Sequence, residues 1–207
     1  MTSPAVDPYR AVPAPKQAGE PRPEFAWSWW VDGKRREADD LRTAFACARV
    51  GEGYVWAGLH HPTEATLVRL GSELTIHELV IEDAVHGHRR SKLERFDDNL
   101  FMVVSTVSYV DRAEHLTGAE IVSTGELMIM LGKQWVVTSR HHGKSRMPEV
   151  MAEVAEPLED APEGPWRVLH ACLSVAIDDF TKVIGQMEED VEAVSYTHLT
   201  LPTNREV

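Results

Sequence analysis

The stretch IHELVIEDAVHGHRRSKLERFDDNLFMVV, residues 76–104, decides the fold. Its first part, 78–86, spaces apolar residues around two adjacent acids, which predicts a short helix. A densely charged crossing follows at 86–95, and the apolar run at 99–109 is rich in β-branched and aromatic residues, as buried strands are. Helix, charged crossing and buried strand together indicate an interior unit of an α/β domain.

Similar patterns lie on both sides of this stretch. Apolar runs bounded by turn residues predict a sheet of five strands, near 26–31, 54–59, 100–109, 126–131 and 135–139. Helical spacing of apolar residues predicts further helices at 38–50, 62–74 and 147–156. The predicted fold class is therefore α/β, with a mixed central sheet flanked by helices.

Changes in composition divide the chain into segments. Residues 1–24 are rich in proline and poor in large apolar side chains, which predicts a disordered tail before the α/β domain at 25–164. Residues 165–193 predict the start of a long helix, with heptad-like spacing at Trp166, Leu169, Leu173, Ala176, Phe180, Val183 and Met187. This spacing favours packing against neighbouring helices or in an oligomer, and an ordinary amphipathic helix on the domain core is the alternative.

Charge and composition exclude several classes of protein. The 207 residues carry a net charge of -12, so the chain would repel nucleic acid and attract cations. Its two cysteines, Cys47 and Cys172, are far apart, which fits a reducing compartment. No apolar run approaches the roughly 18 residues that a membrane-spanning helix needs. The chain as it stands is therefore expected to be soluble and not secreted.

Two clusters of polar residues could form a binding or catalytic site, but the surrounding sequence does not support either one. The charged group Arg89, Arg90, Lys92, Glu94 and Arg95 could bind phosphate, but the acids at 97 and 98 favour a salt-bridged surface. A zinc or hydrolase site is suggested by histidines at His60, His61, His86, His88, His141 and His142. The chain has neither an HExxH motif nor a spaced cysteine pair, so we expect no catalytic residues.

The central stretch resembles the cytosolic domain of CorA-type magnesium transporters. The residues that match the pattern of that family are His77, Leu79, Glu82, Asp83, Arg90, Lys92, Glu94 and Phe101. The resemblance continues in order at Trp56, Pro62, Thr63, Val137, Thr138, Arg140, His141, Asp178, Asp179 and Phe180. Glu78 and Ser91 stand where the family usually has proline, and Gly58 replaces an aspartate.

The resemblance implies a role in ion transport, with no catalysed reaction. The chain would be the gating portion of a homopentameric channel that passes Mg²⁺, or Co²⁺ or Ni²⁺, down its electrochemical gradient. Such a protein lies in the cell membrane, to which this cytoplasmic portion would be joined through a stalk helix. The alternatives are a zinc-transporting relative of the same family and a soluble metal-responsive or metal-dependent enzyme domain.

The resemblance also implies that Glu82 and Asp83 sense Mg²⁺. Mg²⁺ keeps several of its waters, so one or two carboxylates can hold it. In the family these acids help form sites between subunits, and the bound ions keep the pentamer closed. A third sensing acid of the family stands one turn before Asp178, where this chain has Ser174. The alternative interpretation makes Glu82 and Asp83 ordinary charges at a helix end.

The last residues, 194–207, differ in character from the helix before them. The apolar spacing stops, β-forming residues cluster, and Pro202 cannot continue a helix. The segment VSYTHLTLPT resembles the translation of a transposase-based sequencing adapter, so we expect 194–207 to be an artefact. The natural protein is then expected to continue past Ala193 into the remaining stalk, two transmembrane helices and a Gly-Met-Asn pore motif, which does not occur here.

Overall fold

The computed structural model describes residues 25–74, 76–86, 90–110, 121–143, 145–156 and 163–199, without the side chains at 86, 141, 142 and 193–199. The predictions for the tail at 1–24, for 200–207 and for part of the linker before the long helix lie outside these residues. None of the described helices is both long enough and apolar enough to cross a bilayer.

The described residues form seven strands and five helices. The strands are β1 (Phe25–Val31), β2 (Lys34–Arg36), β3 (Tyr54–His60), β4 (Lys92–Phe96), β5 (Asn99–Tyr109), β6 (Val122–Leu131) and β7 (Trp135–His142). The helices are α1 (Leu41–Arg49), α2 (Glu64–Leu74), α3 (Glu78–His86), α4 (Met147–Ala155) and α5 (Trp166–Leu199). The predicted helix at 78–86 and the predicted strand at 99–109 are confirmed with the same bounds.

All seven strands belong to one mixed sheet, in the order β2-β1-β3-β7-β6-β5-β4. The pair β3–β7 is parallel and the other pairs are antiparallel. A buried hydrogen bond joins the parallel strands, because Trp56 Nε1 donates to Thr138 Oγ1 at 3.0 Å. The predicted α/β class with a mixed central sheet is therefore confirmed.

The sheet separates two apolar cores. Because side chains alternate along a strand, Val55 and Ala57 of β3 face one core while Tyr54 and Trp56 face the other. Helices α1, α2 and α3 cover the first core, and α4 and α5 cover the second. The acids of α3 and the side chains of α5 therefore lie on opposite faces of the sheet.

The charged segment predicted as a crossing is a strand, β4, at the edge of the sheet. The helix–strand unit at 76–104 therefore lies at one end of the sheet, and the prediction of an interior unit was wrong. Leu93 is 59% exposed, and charged neighbours on an edge strand discourage pairing with other chains. The charged sequence did not indicate a strand here, because an edge strand needs little apolar surface and so lacks the usual apolar pattern.

The stripe that α5 buries coincides only in part with the predicted one, of which Ala176 and Val183 are buried. Its side chains that are buried against the sheet include Val168, Cys172, Val175 and Val183. Phe180 and Met187, members of the predicted stripe, are exposed. They belong to a second apolar stripe, which is exposed along its length: Ile177, Phe180, Ile184, Met187 and Val191. Apolar residues on two faces explain why the sequence pattern did not identify the buried one.

We expect Tyr109→Phe to lower the free energy of unfolding by about 1–2 kcal/mol, the usual cost of losing a partly buried hydrogen bond. Tyr109 Oη donates to Asp190 Oδ2 at 2.7 Å, which fastens the end of β5 to α5. The control is Tyr54→Phe, since the buried Tyr54 hydroxyl has no hydrogen-bond partner among the described residues. Urea denaturation should show no loss of stability for this control, and equal losses for the two variants would contradict the assignment.

Candidate metal-sensing site

Close packing fixes the position of α3. The Leu79 N–H donates to His77 Nδ1 at 3.2 Å, and the His77 ring stacks on Phe96 of β4 at 5.1 Å. A Cβ at Gly71 would lie 2.2 Å from Ile81 Cδ1, so a larger residue at 71 would force the Ile81 side chain of α3 to shift.

Val80 and Ala84 of α3 are buried against the sheet. At 3.6 residues per turn this packing places Glu82 on the outer side of the helix, where it is exposed. Asp83 lies at the border of the buried face and is half-buried. The two predicted sensing acids are therefore adjacent but lie in different environments.

Asp83 is held by a lysine from the edge strand. Lys92 Nζ lies 2.5 Å from Asp83 Oδ2 and 3.1 Å from Glu94 Oε2. The same ammonium lies 5.1 Å from the centroid of the Phe101 ring, a cation–π distance. Partial burial acts to lower the pKa of Lys92, but the hydrogen bonds to Asp83 and Glu94 outweigh it and raise the pKa above its ordinary value. Lys92 is thus a permanent counter-ion beside Asp83.

This donor set can hold part of a hydrated divalent cation. Glu82 and Asp83 offer carboxylate oxygens, which Mg²⁺ prefers. Nowhere in the described part of the chain do three or more histidine, cysteine, aspartate or glutamate side chains form a group that could hold a metal ion. Mg²⁺ keeps several of its waters, so waters can fill further positions, and an ion at Asp83 must compete with Lys92.

Ser174, which stands where the family has a third sensing acid, does not approach this pair. It lies on α5, which packs on the opposite face of the sheet from α3. Position 174 could therefore meet Glu82 and Asp83 only across two copies of the chain.

The other predicted clusters show ion pairs but no metal centre. The predicted salt-bridged surface is confirmed at Lys92 and at Arg95, whose Nη2 lies 3.9 Å from Asp98 Oδ1. Arg89 and His88 lie outside the described residues. The His60 and His61 rings meet edge to face at 4.5 Å, and the side chains of His86, His141 and His142 are not described.

The sequence analysis missed the role of Lys92 as the partner of Asp83. The signal that could have revealed it is the alternation in KLERF, 92–96. Residues 92, 94 and 96 share one side of an extended strand, and Phe96 on that side packs against the core under α3.

We expect a double-mutant cycle of Asp83→Asn and Lys92→Met to give a coupling energy of about 1 kcal/mol, because both side chains are only a quarter to a third exposed. The matched control is the Arg42–Glu73 pair, which has a 2.9 Å contact but an Arg42 that is 68% exposed. Its coupling should be about 0.3 kcal/mol or less. Urea unfolding of the wild type and the six variants measures both couplings, and equal coupling in the two pairs would contradict the picture of Lys92 as a firmly held counter-ion.

Comparison with known structures gives the same fold for several proteins. Full-length CmaX superposes with a TM-score of 0.65 at 13% identity, over 86% of this chain and 52% of CmaX. The soluble domain of CorA from Methanocaldococcus jannaschii gives 0.60 at 12% identity, over 84% of this chain and 64% of that one. The ZntB cytoplasmic domain from Vibrio parahaemolyticus gives 0.53 at 10% identity, over 68% and 55%.

The chain thus spans between about half and two thirds of the length of these structures. No curated protein sequence matches it significantly. A family model described as "CorA-like Mg2+ transporter protein" matches residues 51–206. This match takes in β3, the α2–α3 pair, the sheet as far as β7 and the whole of α5, and the chain therefore belongs to the CorA-like Mg²⁺ transporter family.

Proposed function

We propose that this chain is the cytosolic gating and sensing portion of a membrane channel that passes Mg²⁺, with Co²⁺ and Ni²⁺ as alternative cargo. The family match over 51–206 carries the proposal. The complete protein would hold its pore in transmembrane helices beyond α5, and its flux would be passive. This chain spans only 52% of full-length CmaX, which supports a further part in the complete protein.

In this proposal Glu82 and Asp83 bind a hydrated Mg²⁺ at a boundary between two copies of the chain. The divalent ion replaces the single charge of Lys92 at Asp83, and its second charge favours the exchange. Lys92 keeps Glu94 as a partner at 3.1 Å when it leaves Asp83, so its charge is not stranded. Mg²⁺ and Lys92 would therefore compete for Asp83. The protein would respond only at ion concentrations that are high enough to displace the lysine.

The proposed partner is the chain itself, as a homopentamer. The exposed stripe of α5 at Ile177, Phe180, Ile184, Met187 and Val191 supports this partner. Its steps alternate between three and four residues, the spacing by which helices pack along their length. Large apolar patches on a protein surface commonly mark sites of association.

A zinc-transporting relative is the second candidate, because the fold is also that of the ZntB cytoplasmic domain from Vibrio parahaemolyticus. The two candidates differ in the ion that drives association, so Zn²⁺ and Mg²⁺ titrations of the same protein distinguish them. No described group of metal ligands supports the metal-dependent enzyme domain that the sequence also allowed.

We expect MgCl₂ in the millimolar range to increase self-association of the chain, and Glu82→Gln with Asp83→Asn to abolish this response. The physical reason is that amides cannot replace carboxylates as ligands of a hard cation. Sedimentation velocity at constant ionic strength measures the response. The matched control is Asp97→Asn with Asp98→Asn, an adjacent acid pair at the β4–β5 turn where asparagine tolerates the positive φ of Asp97. A response that survives in the first variant, or disappears equally in both, would remove the sensing assignment.

We expect Ile184→Gln with Met187→Gln to weaken self-association by at least tenfold while the thermal midpoint of the monomer changes little. Both side chains are about half exposed, so the fold does not depend on their burial. The control is Glu189→Gln, which places the same polar side chain at an exposed position of the same helix that lies away from the stripe. Analytical ultracentrifugation gives the association constants, and unchanged association in the double variant would show that α5 is not the contact.

A further inference from the structure

A small groove lies beside α4, on the face of the sheet that α4 and α5 cover. Its floor consists of short side chains of β1 and β3, at Ala26, Ser28 and Gly58, together with the buried Trp56. Ala26 pairs with Gly58 and Ser28 pairs with Trp56 in the sheet. The groove exists because neither Ala26 nor Gly58 carries a side chain large enough to fill the space above this pair.

One wall of the groove is made of methionine. Met147 and Met151 lie one turn apart on α4, and both are only partly buried against the core beneath that helix. Methionine side chains are unbranched and polarisable, so they adapt to the shape of a partner. The groove therefore offers an adaptable apolar surface beside an indole ring.

The size of the groove limits what it can hold. Its volume is about 90 Å³, well below the roughly 300–1,000 Å³ that is usual for small-molecule sites. The space suits a small apolar side chain, such as that of proline or valine, better than a metabolite. Grooves lined by aromatic residues are a common binding surface for proline-rich segments.

The chain itself carries a segment of this composition next to the groove. Residues 1–24 include six prolines, and the run AVPAP at 11–15 has no charge or hydrogen-bonding side chain. Residues 16–24 join this run to β1, and nine extended residues can span up to about 30 Å. The groove begins at Ala26, the second residue of β1, so the run can reach it.

We propose that this groove binds the chain's own proline-rich N-terminal segment through the run at 11–15. A segment of this composition cannot bury enough apolar surface to fold alone, which is why the sequence predicts disorder for it. Proline-rich chain is already extended and loses little entropy on binding. The short connection to β1 also gives the run a high local concentration, so weak contacts suffice. This site is separate from Glu82 and Asp83, which lie on the other face.

Limited digestion of the full chain by trypsin tests the proposal, because trypsin can cut after Arg10 and after Lys16, which flank the run. Binding in the groove should protect both bonds. Gly58→Val fills the groove and should speed both cleavages at least fivefold, as followed by mass spectrometry. A Cβ at Gly58 would lie 3.8 Å from Thr138 Oγ1 and 3.9 Å from the Ala26 carbonyl oxygen, which are ordinary contacts, so the strand need not move.

The matched control is Gly185→Val on α5, where an added Cβ has open space around it in the described part of the chain. This variant should be cut at the wild-type rate. Thermal melts show whether the variants are folded, and Gly58→Ala, which adds only the Cβ, takes the place of Gly58→Val if that protein does not fold. The proposal is overturned if the folded Gly58 variant is cut no faster than the wild type, or if both glycine variants are cut faster by the same factor.

Changes in the segment itself give a reciprocal test. Pro13→Ser with Pro15→Ser should shift the methyl NMR signals of the two α4 methionines that line the groove. The control, Pro4→Ser with Pro8→Ser, makes the same change outside the run and should leave these signals unchanged. Unchanged signals in the first variant would overturn the proposal. A difference from the wild type that vanishes on dilution would also overturn it, because the run would then bind the groove of a second copy.

Discussion

The sheet is arranged around the parallel pairing of β3 with β7. This pairing places these two strands side by side at the centre of the sheet, although β4, β5 and β6 lie between them in sequence. The chain leaves β3 into α2 and α3 on one face and leaves β7 into α4 and α5 on the other. One consequence is that the acids of α3 cannot meet α5 of the same chain. An ion that joined these two elements would have to lie between copies, which is the arrangement that the proposed sensing role requires.

The second constraint is electrostatic. An acidic chain attracts cations of every kind. At Asp83 the chain supplies its own cation, the ammonium of Lys92, which is held in a defined position. Its raised pKa keeps it charged at any pH at which the protein works. The carboxylate of Asp83 is therefore already compensated when no divalent ion is present, and α3 does not depend on the metal for its stability. In the proposed mechanism, magnesium changes the partner of Asp83 and with it the surface presented to the next subunit.

The sequence predicted the fold well where one pattern dominated. The long apolar run of β5 and the short helix α3 were found with the bounds that the structure shows. Prediction failed where two patterns overlapped: β4 has charges on both sides, and α5 has apolar stripes on two faces. The acids Glu82 and Asp83 came from the family resemblance, and their sensing role stays a prediction. The alternation in KLERF could have placed Lys92 on the side of β4 that faces α3, but its pairing with Asp83 depends on the packing of α3 over β4.

The account rests on a divalent ion displacing Lys92 from Asp83 at a contact between copies of the chain. Crystals grown with Mn²⁺, a hard cation that shares the oxygen preference of Mg²⁺ and scatters anomalously, test this directly. The account predicts an anomalous peak within coordination distance of Asp83, facing a second copy, with Lys92 moved toward Glu94. An intact Asp83–Lys92 pair with no ion beside it, in crystals whose Mn²⁺ concentration drives self-association in solution, would contradict it.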